Sequence, residues 1–222
     1  MLELTFEGKS YQQSVLGPIS LRIHRGDRIC LLGPSGVGKT TLLNILAGLD
    51  TEIRATTTGP SRELRIGYLF QEPRLLPWRT LYQNLALVGA NRERAAHLLG
   101  QVGLAGSGHR YPDQLSLGMA RRAALARCLA VQPDLLLLDE PFASLDPERA
   151  SELQGLITRL LDQSPSMAMV CVTHDERDAQ ALASQSWWLE GSPARLRVAG
   201  AGRGAAAEAD SRSGLTLLGR RA

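Results

Sequence analysis

The 222-residue chain has no apolar run near the ~20 residues that a membrane-spanning helix needs. Its longest candidates, LLNILAGL and DLLLLD, fall well short. The first residues, MLELTFEGKS, carry early acids and no apolar core, so no secretory leader is expected. Cysteine is scarce. Cys30, Cys128 and Cys171 are odd in number and far apart in the sequence. That speaks against a disulfide framework or a cysteine metal site, and for reduced, buried thiols in a cytosolic protein. A large excess of one charge is also missing. The net charge is +3, with Arg203, Arg212, Arg220 and Arg221 near the end of the chain. This reads as a solvated surface, and no nucleic-acid partner is expected. There is no internal repeat and no heptad arm. What remains is ordinary: 44% apolar and 21% charged residues, enough for one substantial domain with a full core.

Residues 2–7 and 17–24 alternate apolar and polar positions in short runs, which predicts antiparallel strands ahead of a buried strand at 28–32. TLLNILAGL has apolar residues at helical spacing, with Gly48 as its stop. Residues 51–64 show little periodicity and predict a loop, and RIGYLFQ predicts a strand. Two helical stretches at 80–88 and 91–102 predict a small helical lobe over about 72–128. PDLLLLDEP and MAMVCVTH read as strands buried on both faces. Helices are expected at 147–162, with Pro147 in the first turn, and at 175–184. SWWLE is expected to be the final strand. Strands alternating with helices predict an α/β fold: a mixed, mostly parallel core sheet, an antiparallel β subdomain and the helical lobe, together over 1–198. The Ala/Gly-rich remainder, 199–222, cannot offset its ordering entropy by burial and predicts a flexible tail.

Gly33, Pro34, Ser35, Gly36, Val37, Gly38, Lys39 and Thr40 satisfy GxxxxGK[ST] in full, with Thr41 following. The motif follows an apolar strand and opens a helix, the context that a phosphate-cradling loop requires. In that loop Lys39 reaches β- and γ-phosphates and the Thr40 hydroxyl ligates Mg²⁺. The apolar run 135–138 ends in Asp139 and Glu140. Alone, this is equally a buried strand with two solvated acids. With the phosphate loop upstream it reads as a metal-site aspartate and a glutamate that polarises the attacking water. Gln71 and His174 each end a predicted strand. In a sheet of this type such positions face the nucleotide crevice, outside the carboxyl ends of the strands.

GPSGVGKTT, LFQEPRLLPW, LSLGM, LLLLDEPFASLD and VTHD occur in that order. Over about residues 2–197 the chain resembles the ATP-binding subunit of an ABC transporter, a P-loop NTPase of the ABC ATPase type. The resemblance implies a set of roles. Tyr11 stacks on adenine, the alternative being a surface tyrosine at a strand end. Gln71, His174 and Glu140 form the catalytic group, and Thr40, Gln71 and Asp139 the metal group. Ser144, Leu145 and Asp146 form a loop that touches a second protomer. Leu115, Ser116, Leu117, Gly118 and Met119 form the signature loop, which binds the γ-phosphate held by the opposite subunit. ATP and Mg²⁺ are the implied ligands, and the implied assembly is a homodimer or pseudo-symmetric dimer. Permease subunits would dock in a groove near Gln71–Trp78, with a solute-binding protein acting indirectly, at the cytoplasmic face of the cell membrane. The stretch FQEPRLLPWRTLYQNLAL is similar to importer ATPases for nitrate, sulfonates and taurine.

One residue departs from the family pattern. Leu117 stands where the signature loop normally has glycine. If a positive φ is required there, leucine costs about 1–2 kcal/mol. Its bulk also sits where two protomers would close. The expectation is weaker ATP-driven closure and slower turnover. A non-hydrolysing regulatory subunit is the alternative that this departure raises. A DNA-associated ATPase of the same superfamily would need a coiled-coil arm that the sequence lacks.

Overall fold

The structure, a computed structural model, describes residues 2–6, 8–10, 14–50, 56–58 and 64–199. The chain opens with β1 (Leu2–Phe6), β2 (Lys9–Ser10), β3 (Ser14–Leu16), β4 (Ile19–Ile23) and β5 (Arg28–Leu32), followed by α1 (Lys39–Leu46). Then come β6 (Thr56–Thr58), β7 (Ile66–Leu69), α2 (Leu81–Ala86), α3 (Arg92–Gln101) and α4 (Leu117–Ala130). The last elements are β8 (Leu135–Asp139), α5 (Pro147–Gln163), β9 (Ala168–Val172), α6 (Glu176–Leu182), β10 (Gln185–Gly191) and β11 (Ala194–Ala199).

Two sheets result. A small antiparallel sheet has the order β4–β1–β6, and a larger one runs β2–β3–β11–β10–β5–β9–β8–β7. From β10 to β7 every neighbouring pair is parallel. Side chains alternate across this sheet. Leu136, Leu138, Met169 and Cys171 enter a core shared with α2 to α6. Leu135, Leu137, Val170 and Val172 enter a second core shared with α1, β1 and β4. Burial on both faces explains why β8 and β9 are unbroken apolar runs.

The helices follow their sequence signals. Asp146 caps α5, its carboxylate accepting from Arg149 N at 3.0 Å, and Pro147 begins the first turn. Leu153, Leu156, Ile157, Leu160 and Leu161 then form its buried stripe. In the lobe, Thr80 and Gln83 form a capping box at α2. Fully buried Asn84 donates to the carbonyls of Leu76, Arg79 and Thr80 and accepts from Leu76 N, which ties the preceding loop to the helix.

Three expectations are corrected. Residues 51–64 are not all loop: Thr56–Thr58, three β-branched residues, pair antiparallel with the free edge of β1. SWWLE is not the final strand. The chain turns after Gly191 and returns as β11 along β10, with Ala199 ending a strand where a tail was expected; residues 200–222 lie outside the described residues. The three cysteines are buried free thiols, as expected, and Cys30 pairs directly with Cys171 between β5 and β9.

Candidate functional site

The carboxyl ends of β5, β8 and β9 lie side by side, and the phosphate loop, Asp139, Glu140 and His174 gather there. β5 feeds the loop 33–38, whose path only glycine permits at two points. A Cβ on Gly33 would meet Leu189 O at 2.3 Å, and one on Gly38 would meet Leu16 Cδ2 at 2.8 Å. Both have positive φ, 149° and 108°. The loop therefore packs against β10 and β3 and delivers Lys39 as the first residue of α1. Lys39 is buried and donates to Gly33 O and Pro34 O, both at 2.8 Å. Burial pushes its ammonium pKa below 10.5, while the nearby Glu140 and Asp139 carboxylates oppose that shift.

Asp139 continues the alternation of Leu135 and Leu137 and so emerges on the α1 face of the sheet. There it accepts from Thr40 Oγ1 at 3.2 Å. Burial raises the Asp139 carboxyl pKa, and the Thr40 hydrogen bond works against it. The chain then turns sharply. Glu140 has φ 45°, and its N–H donates to Val172 O at 3.0 Å. Its Oε2 lies 3.8 Å from His174 Nδ1. His174 follows Thr173, whose hydroxyl donates to Asp178 and accepts from Asp175 N. Gln154 Nε2 also donates to Asp178 at 2.7 Å, so α5 and α6 brace the turn that presents His174. The Arg177 side chain, hydrogen-bonded to Asp175, pulls that carboxyl down to about 2.

Gln71 lines two adjoining clefts. One, of about 660 Å³, holds Thr40, Asn44 and Asp139. The other, of about 620 Å³, holds Glu140, Ser144, Leu145 and His174. Hydroxyl, carboxylate and amide oxygens around the first cleft suit a hard divalent cation. Among the described residues no three His, Cys, Asp or Glu side chains gather as a metal cluster. A cation here would draw further ligands from phosphate oxygens, the usual manner of Mg²⁺.

Leu115–Met119 lie elsewhere. None of them lines either cleft. Ser116 caps α4, its Oγ accepting from Met119 N at 3.3 Å, and Leu115 and Met119 pack onto the lobe core. The concern about backbone strain at Leu117 is overturned. Leu117 is the first residue of a regular helix and has no positive φ, so leucine fits the backbone without penalty. Its side chain is 45% exposed. At Gly118 an added Cβ would meet nothing within 4 Å, so no intrachain contact requires glycine there. Tyr11 lies outside the described residues.

Several residues around the first cleft were not anticipated. Lys9 and Asp50 form a buried ion pair at 2.9 Å on its wall. Tyr68 donates to Asn44 Oδ1 at 3.1 Å. Only Asn44 had a readable signal, four residues after Thr40 on the same helical face.

The sequence profile for the family "ABC transporter" matches residues 16–143. An aliphatic sulfonates import ATP-binding protein of Burkholderia lata is 41% identical over 208 residues, covering 88% of this chain and 75% of the relative. One from Rhodococcus jostii is 43% identical over 189 residues, covering 83% and 77%. Among solved structures, a dimeric, post-hydrolysis ATP-binding cassette bound to ADP and Pi superposes with a TM-score of 0.73 at 29% identity, covering 85% of this chain and 94% of that one. No helix of the described residues is long and apolar enough to cross a membrane.

Proposed function

The chain belongs to the ABC transporter family, and from that premise we propose that it is the ATP-hydrolysing subunit of an importer for a small sulfonate or related anion. ATP binding and hydrolysis come with the family. The solute class is suggested by the sulfonate import subunits it is most like among the relatives above.

The observation that carries the hydrolytic reading is the Glu140–His174 pair, set one residue beyond Asp139 and sharing a cleft with Gln71. The loop amides and the N-terminus of α1 receive the β- and γ-phosphates. An ammonium has three donors; two of Lys39's are held by Gly33 and Pro34, which leaves one for a phosphate oxygen. Thr40, Asp139 and Gln71 would hold Mg²⁺, which would supply positive charge to the phosphate oxygens. Glu140 accepts the proton of the attacking water, and Gln71 and His174 position water and γ-phosphate. Tyr11 takes the adenine ring. No observation favours a non-hydrolysing regulatory subunit.

The exposed signature loop, standing apart from Lys39, is read as completing the site of a second subunit, in a homodimer or pseudo-symmetric dimer. The 144–146 segment belongs to the same interface. Trp78, 68% exposed within the Asn84-braced loop, is read as part of the surface near Gln71–Trp78 that meets permease subunits. The subunit then works as a peripheral protein on the cytoplasmic face of the membrane. The ATPase domain is read as running through Ala199, the end of β11, with its lobe at about 72–128.

The test is Glu140→Gln in the full chain. Phosphate release should fall to background while ATP holds the protein as a dimer on gel filtration. Steady turnover in that variant overturns the assignment.

A further inference from the structure

Tyr68 sits on β7 with Leu69 directed into the lobe-side core, so its own side chain takes the α1 face. Gly67 leaves that other face to α4, since a Cβ there would meet Cys128 O at 2.9 Å. Parallel pairing sets Tyr68 opposite Leu137, two residues before Asp139 and on the same face. Thr40 and Asn44, one helical turn apart on α1, meet this patch from above. Thr40 donates to Asp139, and Tyr68 donates to Asn44 Oδ1 at 3.1 Å.

The other end of Tyr68 meets the segment that carries Gln71. Its ring stacks on Phe70, with centroids 4.0 Å apart and planes 17° apart. The Arg74 guanidinium lies 3.9 Å over the Phe70 ring. Arg127 on α4 holds the same segment by donating to Pro73 O at 3.1 Å and Arg74 O at 2.8 Å. Arginine, phenylalanine and tyrosine therefore form one stack from the Gln71 segment to the foot of α1.

We propose that Tyr68 is a positioning residue for the cation site of Thr40 and Asp139, its hydroxyl holding α1 through Asn44, one turn beyond Thr40, while its stacked ring seats the Gln71 segment. The proposal rests on the reading of Thr40 and Asp139 as cation ligands. Its physical basis is that Asn44 lies one helical turn beyond Thr40 on the same face, so the donor that fixes Asn44 Oδ1 also fixes the turn carrying the Thr40 hydroxyl against Asp139. Phenylalanine at this position would keep the stack but leave Asn44 Oδ1 without this donor.

The test titrates Mn²⁺, as a spectroscopic stand-in for Mg²⁺, into the full chain saturated with ATP, read by electron paramagnetic resonance. Tyr68→Phe should weaken Mn²⁺ retention about tenfold. Its binding of trinitrophenyl-ATP in EDTA should match wild type. Phe70→Leu, which keeps the hydroxyl and loses the stack, should weaken Mn²⁺ by a smaller factor. Unchanged Mn²⁺ binding in Tyr68→Phe overturns the proposal. So does an equal loss of metal-free nucleotide binding, which would mark a packing defect. Wild-type protein that takes up ATP but no Mn²⁺ would instead overturn the cation reading of Thr40 and Asp139, and this proposal with it.

Discussion

Glu140 Oε2 and His174 Nδ1 lie 3.8 Å apart at the ends of the neighbouring parallel strands β8 and β9. Neither residue continues its strand. Each sits on the first turn beyond it, Glu140 at φ 45° and His174 on the Thr173–Asp178 brace. The pair is thus set by sheet register on one side and by α5 and α6 on the other. His174→Ala should lower steady-state phosphate release by about a hundredfold. Thermal unfolding should hardly move, because His174 is largely exposed and, among the described residues, makes no hydrogen bond that braces the fold. A paired measurement of turnover and melting temperature checks this.

Lys39 gives a pH prediction. Burial disfavours its ammonium form, so the folded pKa lies below the ordinary 10.5. On the alkaline side the free protein loses this proton before an exposed lysine would. ATP favours the ammonium and raises the pKa again, so binding should take up protons as pH rises towards that range. Calorimetry in buffers of different ionisation enthalpy measures the uptake, and Lys39→Met should abolish it. The same lowered pKa also bears on stability. The unfolded chain holds the proton to higher pH than the folded one, so this group's contribution rises with pH through the folded value and levels off above 10.5.

Arg121 is a stability liability. It is 4% exposed on α4, and among the described residues its Nε and Nη1 are buried without a hydrogen-bond partner. Burial pushes its pKa down, the mark of a charge deprived of water. Arg121→Met keeps helix propensity and removes the charge. It should raise unfolding free energy by about 1–4 kcal/mol in urea titrations. Arg121→Glu should lower it.

Leu117 fits its own helix, so any cost must fall between subunits. Leu117→Gly should weaken α4 by at most about 1 kcal/mol. ATP-dependent dimerisation and turnover should both rise. Sedimentation with ATP, run on Glu140→Gln with and without the second change, reads the first effect. Equal dimerisation and equal rates would show that the leucine is neutral.

Much of the site was legible in the sequence because its parts are local. Gly33 to Thr40 specify a turn of positive-φ glycines between a strand and a helix, and no distant residue is needed to recognise it. The apolar runs ending at Asp139 and Thr173 announce strands buried on both faces, and Pro147 behind Asp146 announces a helix start. These signals lie in backbone torsion preferences and side-chain periods, which a few neighbouring residues determine. Pairing across space was left to the tertiary structure. It decided that Thr56–Thr58 would close the edge of β1 and that β11 would fold back along β10. It also placed Cys30 beside Cys171, Lys9 against Asp50, and Tyr68 between Asn44 and Phe70. Each of those choices depends on strand order and on which core face a residue meets, and both are properties of the packed sheet rather than of any one segment.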